Sequence, residues 1–318
     1  MIWRSRVYRQ AGKRDGHLKI FHNLTEYRKQ PDAELPTCVT LGKFDGFHLG
    51  HQKLISRVLD VSRQRGLPSV VFMIRLKDRG ILSHKERSRM LKKLGVDILV
   101  ECTFSRGFML MSAQEFIQDI LADTLHASFV SVGTDFRFGH NRSGDAKVLQ
   151  EFGEIYGYET DIIEKEMFLG EEISSTRVRA SLAARDMELV ADLLGREYGI
   201  CGTVQHGRGI GAAFGMPTVN LLPPGDKILP PDGVYASSVK LPDGSQRPGV
   251  TNIGFRPTVN GTHRTIETTL IDYSGNLYGA ELTISLMHFI RGERKFASME
   301  ELKAQIEKDK ITALKFNT

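Results

Sequence analysis

Through the first half of the chain, short apolar runs alternate with stretches that place hydrophobic residues every three to four positions. Segments 37–41, 69–74, 96–100 and 128–132 are largely apolar, 158–163 reads as a further strand, and 18–21 as a candidate edge strand. Between them, Leu54, Ile55, Val58 and Leu59 fall at helical spacing, as do Met90, Leu91 and Leu94, then Phe116, Ile117, Ile120 and Leu121, then Val148, Leu149, Phe152 and Ile155. Ser83-x-x-Glu86 and Ser112-x-x-Glu115 are capping boxes that open two of these helices. Strands apolar on both faces, alternating with amphipathic helices, predict a parallel sheet covered on both sides.

A connecting helix is expected over 186–195, and beyond it the pattern shifts to a period of two with frequent Gly and Pro. Strands are predicted at 199–205, 233–241, 246–253, 265–273 and 280–289, and Pro242–Ser245 and Asp272–Asn276 have hairpin-turn chemistry. Ser298-x-x-Glu301 caps a final helix with Leu302 and Ile306 on its inner face. The second half thus reads as a small closed antiparallel barrel with a C-terminal helix. The boundary falls at 186/187, with one domain over 1–186 and the other over 187–318.

Composition adds constraints rather than a function. At 318 residues, 41% hydrophobic and 25% charged, the chain can bury two cores, and no apolar run reaches membrane-spanning length. Arg4, Arg6, Arg9, Lys13 and Arg14 have no apolar stretch behind them, so a secretory signal is not expected. Cys38, Cys102 and Cys201 are scattered and read as buried thiols of a cytoplasmic protein. The net charge of +5 suits anionic ligands. The basic residues form no stripe with interleaved aromatics, so small phosphorylated substrates are expected rather than nucleic acid or a membrane; a weak homo-oligomer is left open.

Candidate chemistry gathers where the strands end. After 37–41 comes Gly42-x-Phe44-Asp45-Gly46-x-His48-x-Gly50-His51, a glycine-punctuated turn into a helix. Such a turn lets backbone N–H groups approach phosphate oxygens, and His48 and His51 lie on one side of the first helical turn. Zinc ligation is not expected, since no third and fourth ligand follow at metal spacing. Gly133-x-Asp135-Phe136-Arg137-Phe138-Gly139 follows the fourth long strand, and Ser174-Ser175-Thr176-Arg177-x-Arg179 opens a short helix as an anion grip. Read singly, each has a plainer explanation as a cap, a turn or a solvated arginine; their shared place at one sheet edge favours a site. In the barrel, a glycine-rich flap from His206 through Gly207 and Gly215 ends in Pro217-Thr218-x-Asn220. The Thr218 hydroxyl and the Asn220 carbonyl are two residues apart and suit one Mg²⁺. Glu267 is a carboxylate that could accept a proton from an attacking hydroxyl, or could simply be an exposed strand residue.

These motifs, in this order, resemble the bacterial bifunctional riboflavin kinase/FAD synthetase family over essentially residues 15–318. The carriers are G-x-F-D-G-x-H-x-G-H at 42–51, G-x-D-F-R-F-G at 133–139, S-S-T-R-x-R at 174–179, L-L-G-R at 193–196, G-x-P-T-x-N at 215–220, N-I-G-x-R-P-T at 252–258, L-Y-G at 277–279 and I-R-x-E-x-K-F at 290–296. The resemblance implies a Rossmann-like nucleotidyltransferase domain followed by a kinase barrel, with ATP as co-substrate, Mg²⁺, and FMN and FAD as products. It implies that Glu267 is the kinase base and that Thr218 and Asn220 hold the metal, with Gly207, Gly215 and Pro217 on ATP. Asn252, Arg291 and Leu302 would border the flavin there. In the first domain it implies ATP on Gly42, Phe44, Asp45, Gly46, Gly50, Ser175, Thr176 and Arg177, charge stabilisation by His48 and His51, and a flavin side shaped by Asp135 and Phe138.

The chain departs from the family in three places. Phe72-Met-Ile-Arg-Leu-Lys77 stands where the family usually has F-x-P-H-P, Ile210 and Ala212 replace residues that are often basic, and Val219 replaces alanine in P-T-A-N. These departures keep open a variant with one activity only, or a flavin-binding regulator without turnover.

Overall fold

The computed structural model describes residues 17–75, 78–205, 218–258 and 261–317; of 256–258 and 261–263 it describes only the backbone. The chain divides into two compact units, one up to Ser174 and one from Ser175.

The first unit is built on β1 (Lys19–Phe21), β2 (Thr37–Gly42), β3 (Ser69–Arg75), β4 (Ile98–Thr103), β5 (Ala127–Gly133) and β6 (Glu159–Ile163). They form one parallel sheet in the order β1-β4-β3-β2-β5-β6, with the expected edge strand in place. The helices α1 (Leu49–Arg65), α2 (His84–Leu94) and α3 (Ala146–Tyr156) lie between successive strands. Alternation along each strand sends residues to opposite cores. Val39, Leu41, Val70, Phe72, Val130 and Val132 pack with Phe116, Ile117, Ile120 and Leu149, whereas Val71, Met73 and Leu99 pack with Ile55, Leu59 and Leu91. Both faces are therefore dry, as continuous apolar runs require. Strand order reverses direction beside β2, which places a crevice beyond the carboxyl ends of β2 and β5.

Ser83 and Ser112 make the expected capping boxes with Glu86 and Glu115. The helix after Ser112 departs from the regular form: Phe116–Ala122 is wound as a π-helix, and Phe116, Ile117, Ile120 and Leu121 are all buried. The wider turn keeps all four apolar side chains on the sheet at the expense of regular hydrogen bonding.

The second unit begins with α4 (Ser175–Ala183) and α5 (Met187–Leu194). A closed barrel follows, of β7 (Tyr198–Gln205), β8 (Thr218–Leu221), β9 (Gly233–Lys240), β10 (Gln246–Thr258), β11 (Gly261–Leu270) and β12 (Glu281–Arg291), ordered β7-β8-β11-β10-β9-β12. β8 is a strand that the flap reading did not foresee, because Thr-Val-Asn-Leu is too short to show a period by itself. The turn at Pro242–Ser245 joins the neighbours β9 and β10, with Leu241 N–H donating to the Ser245 carbonyl at 2.8 Å. Asp272–Asn276 makes no hairpin, because β11 and β12 are not neighbours. Turn chemistry shows that a chain reverses; it does not say which strand it rejoins.

The last helix, α6 (Met299–Leu314), is capped by Ser298 as expected. Ala313 on α6 packs against Val234, Ala236 and Val250 of the barrel. A buried carboxylate fixes this contact. Asp309, 1% exposed, takes Arg291 Nη2 at 2.8 Å and Nε at 3.1 Å, and Gln305 Nε2 at 2.8 Å. Removing one partner of such a pair leaves a buried charge unmatched. Asp309→Ala is therefore expected to lower the unfolding free energy of the second unit by about 3 kcal/mol in a denaturant titration. A loss well under about 1 kcal/mol would show that the clamp is ornamental.

Candidate active sites

β2 ends at Gly42 and α1 begins at Leu49, so residues 43–48 must turn the chain sharply at the carboxyl edge of the sheet. Phe44 and Phe47 adopt left-handed backbone angles, with φ of 45° and 46°. For bulky residues this is strained by about 1–3 kcal/mol each. Both rings are fully buried and stacked 5.9 Å apart, which offsets about 1.5–3 kcal/mol each. Gly46 has φ +85°, and a Cβ there would meet Ile81 Cδ1 at 2.9 Å. Asp45, 5% exposed, accepts the Ile81 N–H at 2.8 Å. The turn is thus held against the loop that follows β3.

His48 is the N-cap of α1, and its side chain makes no capping bond. Its ring instead stacks on His51, with centroids 3.6 Å apart and 23° between planes. Gly50 permits this, since a Cβ there would lie 3.3 Å from the His48 ring. Burial, then the neighbouring His48, holds His51 well below the usual histidine range. His51 is accordingly neutral near pH 7, and its Nδ1 is enclosed with no hydrogen-bond partner among the described residues. A neutral His51 stacked on His48 beside a helix start can donate an N–H bond to an anion without repelling its neighbour.

Beside this turn, the chain passes through the segment that departs from the family. Arg75 closes β3, where Nη2 bonds Glu101 Oε2 at 3.0 Å and approaches His22 Nδ1 at 3.2 Å. Glu101, 5% exposed, also takes Arg87 Nη1 at 3.0 Å and lies 3.1 Å from His84 Nδ1. A buried ion cluster anchors this strand end; Leu76 and Lys77 lie outside the described residues.

Across the edge, Asp135 is exposed and lies 3.3 Å from Lys165 Nζ, whose pKa is raised by its bond to Glu172 and by Asp135. Phe138 is 6% exposed; its ring stacks on Phe136 and tilts against Phe116 at 5.1 Å. Gly144 makes room for it, since a Cβ there would come within 2.6 Å of the ring. Phe138 therefore shapes a wall from within. Ser175, Thr176 and Arg177 form the first turn of α4 in the second unit, with Thr176 exposed and Val178 buried beneath them.

In the barrel, register brings together what sequence distance separates. Asn220 of β8 pairs with Glu267 of β11, and Glu267 pairs with Asn252 of β10. Directly opposed residues share a face, with Cβ atoms about 5 Å apart. The alternate row, Leu221, Ile266 and Ile253, is buried in the core. Thr218 is two residues from Asn220 on the same face. Asn220 Oδ1 is enclosed with no hydrogen-bond partner among the described residues, and so fits an oxygen-seeking cation. Asn252 Nδ2 donates to Glu293 Oε1 at 3.1 Å. Arg291 donates to Asp309 and to the Gly292 carbonyl, so its guanidinium ties α6 to β12. Leu302 lies half-buried in the first turn of α6. Gly207, Gly215 and Pro217, with Ile210 and Ala212, lie outside the described residues.

Sequence reasoning missed Ile81, Glu101, Glu293 and Asp309. Glu293 sits inside the I-R-x-E-x-K-F run, which could have drawn attention to it; the other three carry no local signal, because their partners are distant in the chain.

Comparison with known proteins adds the following. Residues 29–177 match the family described as FAD synthetase, and residues 194–317 match riboflavin kinase. The chain is 39% identical over 312 residues to the bifunctional riboflavin kinase/FMN adenylyltransferase of Escherichia coli strain K12, spanning 94% of this chain and 97% of that protein. It is 36% identical over 288 residues to the Haemophilus influenzae protein of the same description, spanning 87% and 93%. A solved chain described as a macrolide-efflux protein from Streptococcus pneumoniae aligns with a TM-score of 0.81 at 27% identity, covering 93% of this chain and 98% of that one.

The buried His51 links the first unit's stability to pH. Its folded pKa lies below its unfolded value of 6.5, so the unfolded state binds the extra proton as the pH falls. Stability is fully present above about pH 6.5 and declines below it, by up to about 1.4 kcal/mol per pH unit. Denaturant titrations of His51→Gln from pH 7 to 5 are expected to show a shallower decline than the parent. Equal slopes would mean that the histidine is not held neutral.

Proposed function

The chain belongs to the family of bifunctional riboflavin kinase/FMN adenylyltransferases, and from that premise we propose which of its residues carry each reaction. Both are transfers from ATP: riboflavin is phosphorylated to FMN, and FMN is adenylylated to FAD with release of pyrophosphate. We assign the adenylyltransferase to residues 1–186 and the kinase to 187–318, a division supported by the two family matches on either side of it.

For adenylyl transfer, the observation that carries the assignment is the stacked His48–His51 pair at the start of α1. The pair donates N–H bonds to phosphate oxygens as negative charge builds during attack by the FMN phosphate on the α-phosphorus. Gly42, Phe44, Asp45, Gly46 and Gly50 set the shape of the turn that receives ATP, with Asp45 acting through its bond to Ile81. Ser175, Thr176 and Arg177 hold the ATP tail with hydroxyls and a guanidinium. Asp135 and Phe138 border the flavin, the first as a surface carboxylate and the second as a wall.

For the kinase, the row Asn220–Glu267–Asn252 carries the assignment. Glu267 takes the proton of the terminal ribityl hydroxyl as that oxygen attacks the γ-phosphorus. Thr218 and Asn220 are the residues that would hold Mg²⁺. When bound, the ion neutralises phosphate charge. Gly207, Gly215 and Pro217 complete the ATP side. Asn252 faces the flavin, while Arg291 and Leu302 border it through the helix that Arg291 anchors. Neither step needs a covalent enzyme intermediate; positioning and electrostatics suffice.

Among the described residues no helix is long and apolar enough to cross a membrane. We place the enzyme in the cytoplasm, acting on small molecules and associating with itself at most weakly. Support comes from Cys38 and Cys102, which are buried and form no disulfide, as suits a reducing compartment.

Chromatography of products from riboflavin, ATP and Mg²⁺ tests the whole reading, with FMN and FAD both expected. His51→Ala should cut FAD formation by about 10²–10³ while FMN accumulates. Glu267→Gln should lower FMN formation by about 10²–10⁴ yet still convert supplied FMN to FAD. Loss of both products in either soluble variant would refute two separate sites. Asn220→Ala should raise the Mg²⁺ concentration needed for half-maximal FMN formation by about tenfold or more, and an unchanged requirement would remove Asn220 from the metal.

A further inference from the structure

Glu293 lies outside every strand and helix, in the loop between β12 and α6, and its carboxylate reaches back onto β10. There it accepts the Asn252 Nδ2–H at 3.1 Å. Two facts make this more than a surface contact. A carboxylate has only acceptors, so the amide nitrogen of Asn252 must face it, and the carbonyl oxygen of the same amide must face away. The backbone beneath is also shaped to receive it. Gly254 is buried, and a Cβ at that position would collide with the Glu293 carboxylate carbon and with both its oxygens. Asn252 in turn is the register partner of Glu267.

We propose that Glu293 is a positioning residue of the kinase, which fixes the Asn252 carboxamide so that its oxygen accepts a hydrogen bond from riboflavin, and that Gly254 is required because it seats Glu293. This rests on the assignment of Asn252 to the flavin. The donors riboflavin can offer are the ring N3–H and the ribityl hydroxyls, and an oxygen-first amide recognises either. An amide without a fixed orientation would present NH₂ part of the time, and that would repel a donor. The effect belongs to binding of the flavin, not to proton removal by Glu267.

Steady-state kinetics of FMN formation in the full-length enzyme test this, with adenylylation of supplied FMN as the control. Glu293→Ala is expected to raise KM for riboflavin about five- to tenfold, with KM for ATP and the conversion of FMN to FAD unchanged. Glu293→Gln, whose amide offers an NH₂ as well as an oxygen, no longer dictates which way the Asn252 amide points and should raise KM too, by no more than the Ala variant does. In a double-mutant cycle, Gly254→Ala should raise KM as Glu293→Ala does, and the two together should be no worse than either alone. A parental KM in Glu293→Ala, alongside a raised KM in Asn252→Ala, overturns the role of Glu293 and leaves the flavin assignment standing. A parental KM in Asn252→Ala overturns both. Additive effects in the cycle, or a Gln variant with the parental KM, likewise overturn the positioning role.

Discussion

The turn between β2 and α1 is held in a conformation that its own residues resist. Phe44 and Phe47 have left-handed backbone angles that bulky side chains avoid, and they keep them because both rings are sealed in the core. Strain and burial are of similar size, so neither alone dictates the turn. Asp45 and Gly46, both against Ile81, tip the balance by locking the turn onto the loop beyond β3. From that locked turn follow the direction of α1, the stacking of His48 on His51, and the neutral state of His51.

That neutrality has a chemical consequence. A charged imidazole pair 3.6 Å apart would repel itself and grip a triphosphate in its ground state as well as in the transition state. On the assignment proposed above, a neutral His51 would offer less to the bound substrate and respond more to charge as it develops. Only such differential stabilisation raises the rate of the chemical step.

The barrel solves a similar problem with register instead of a strained turn. Antiparallel pairing lines up Asn220, Glu267 and Asn252, while the opposite face of the same strands fills the core with Leu221, Ile266 and Ile253. A slip of one residue would exchange the two rows and bury the carboxylate. The buried Asp309–Arg291 pair adds a fixed α6 beside this face, so the polar row is bounded by rigid elements.

The layered architecture, the capping boxes and the glycine turn were legible in the chain, because period, cap and turn chemistry are local properties. His48 and His51, Thr218 and Asn220 could be singled out as candidates by residue type and spacing, and Glu267 by residue type alone. What the chain alone could not disclose were contacts between residues far apart in it: Ile81 on Asp45, Glu101 among Arg75, Arg87 and His84, Asp309 on Arg291, Glu293 on Asn252. Nor could it reveal that the Asp272–Asn276 turn joins strands that are not neighbours, or that the helix after Ser112 widens into π form. Local sequence determines which elements form and which faces they bury. Which side chains meet, and in what charge state, is decided only when packing removes water from between them.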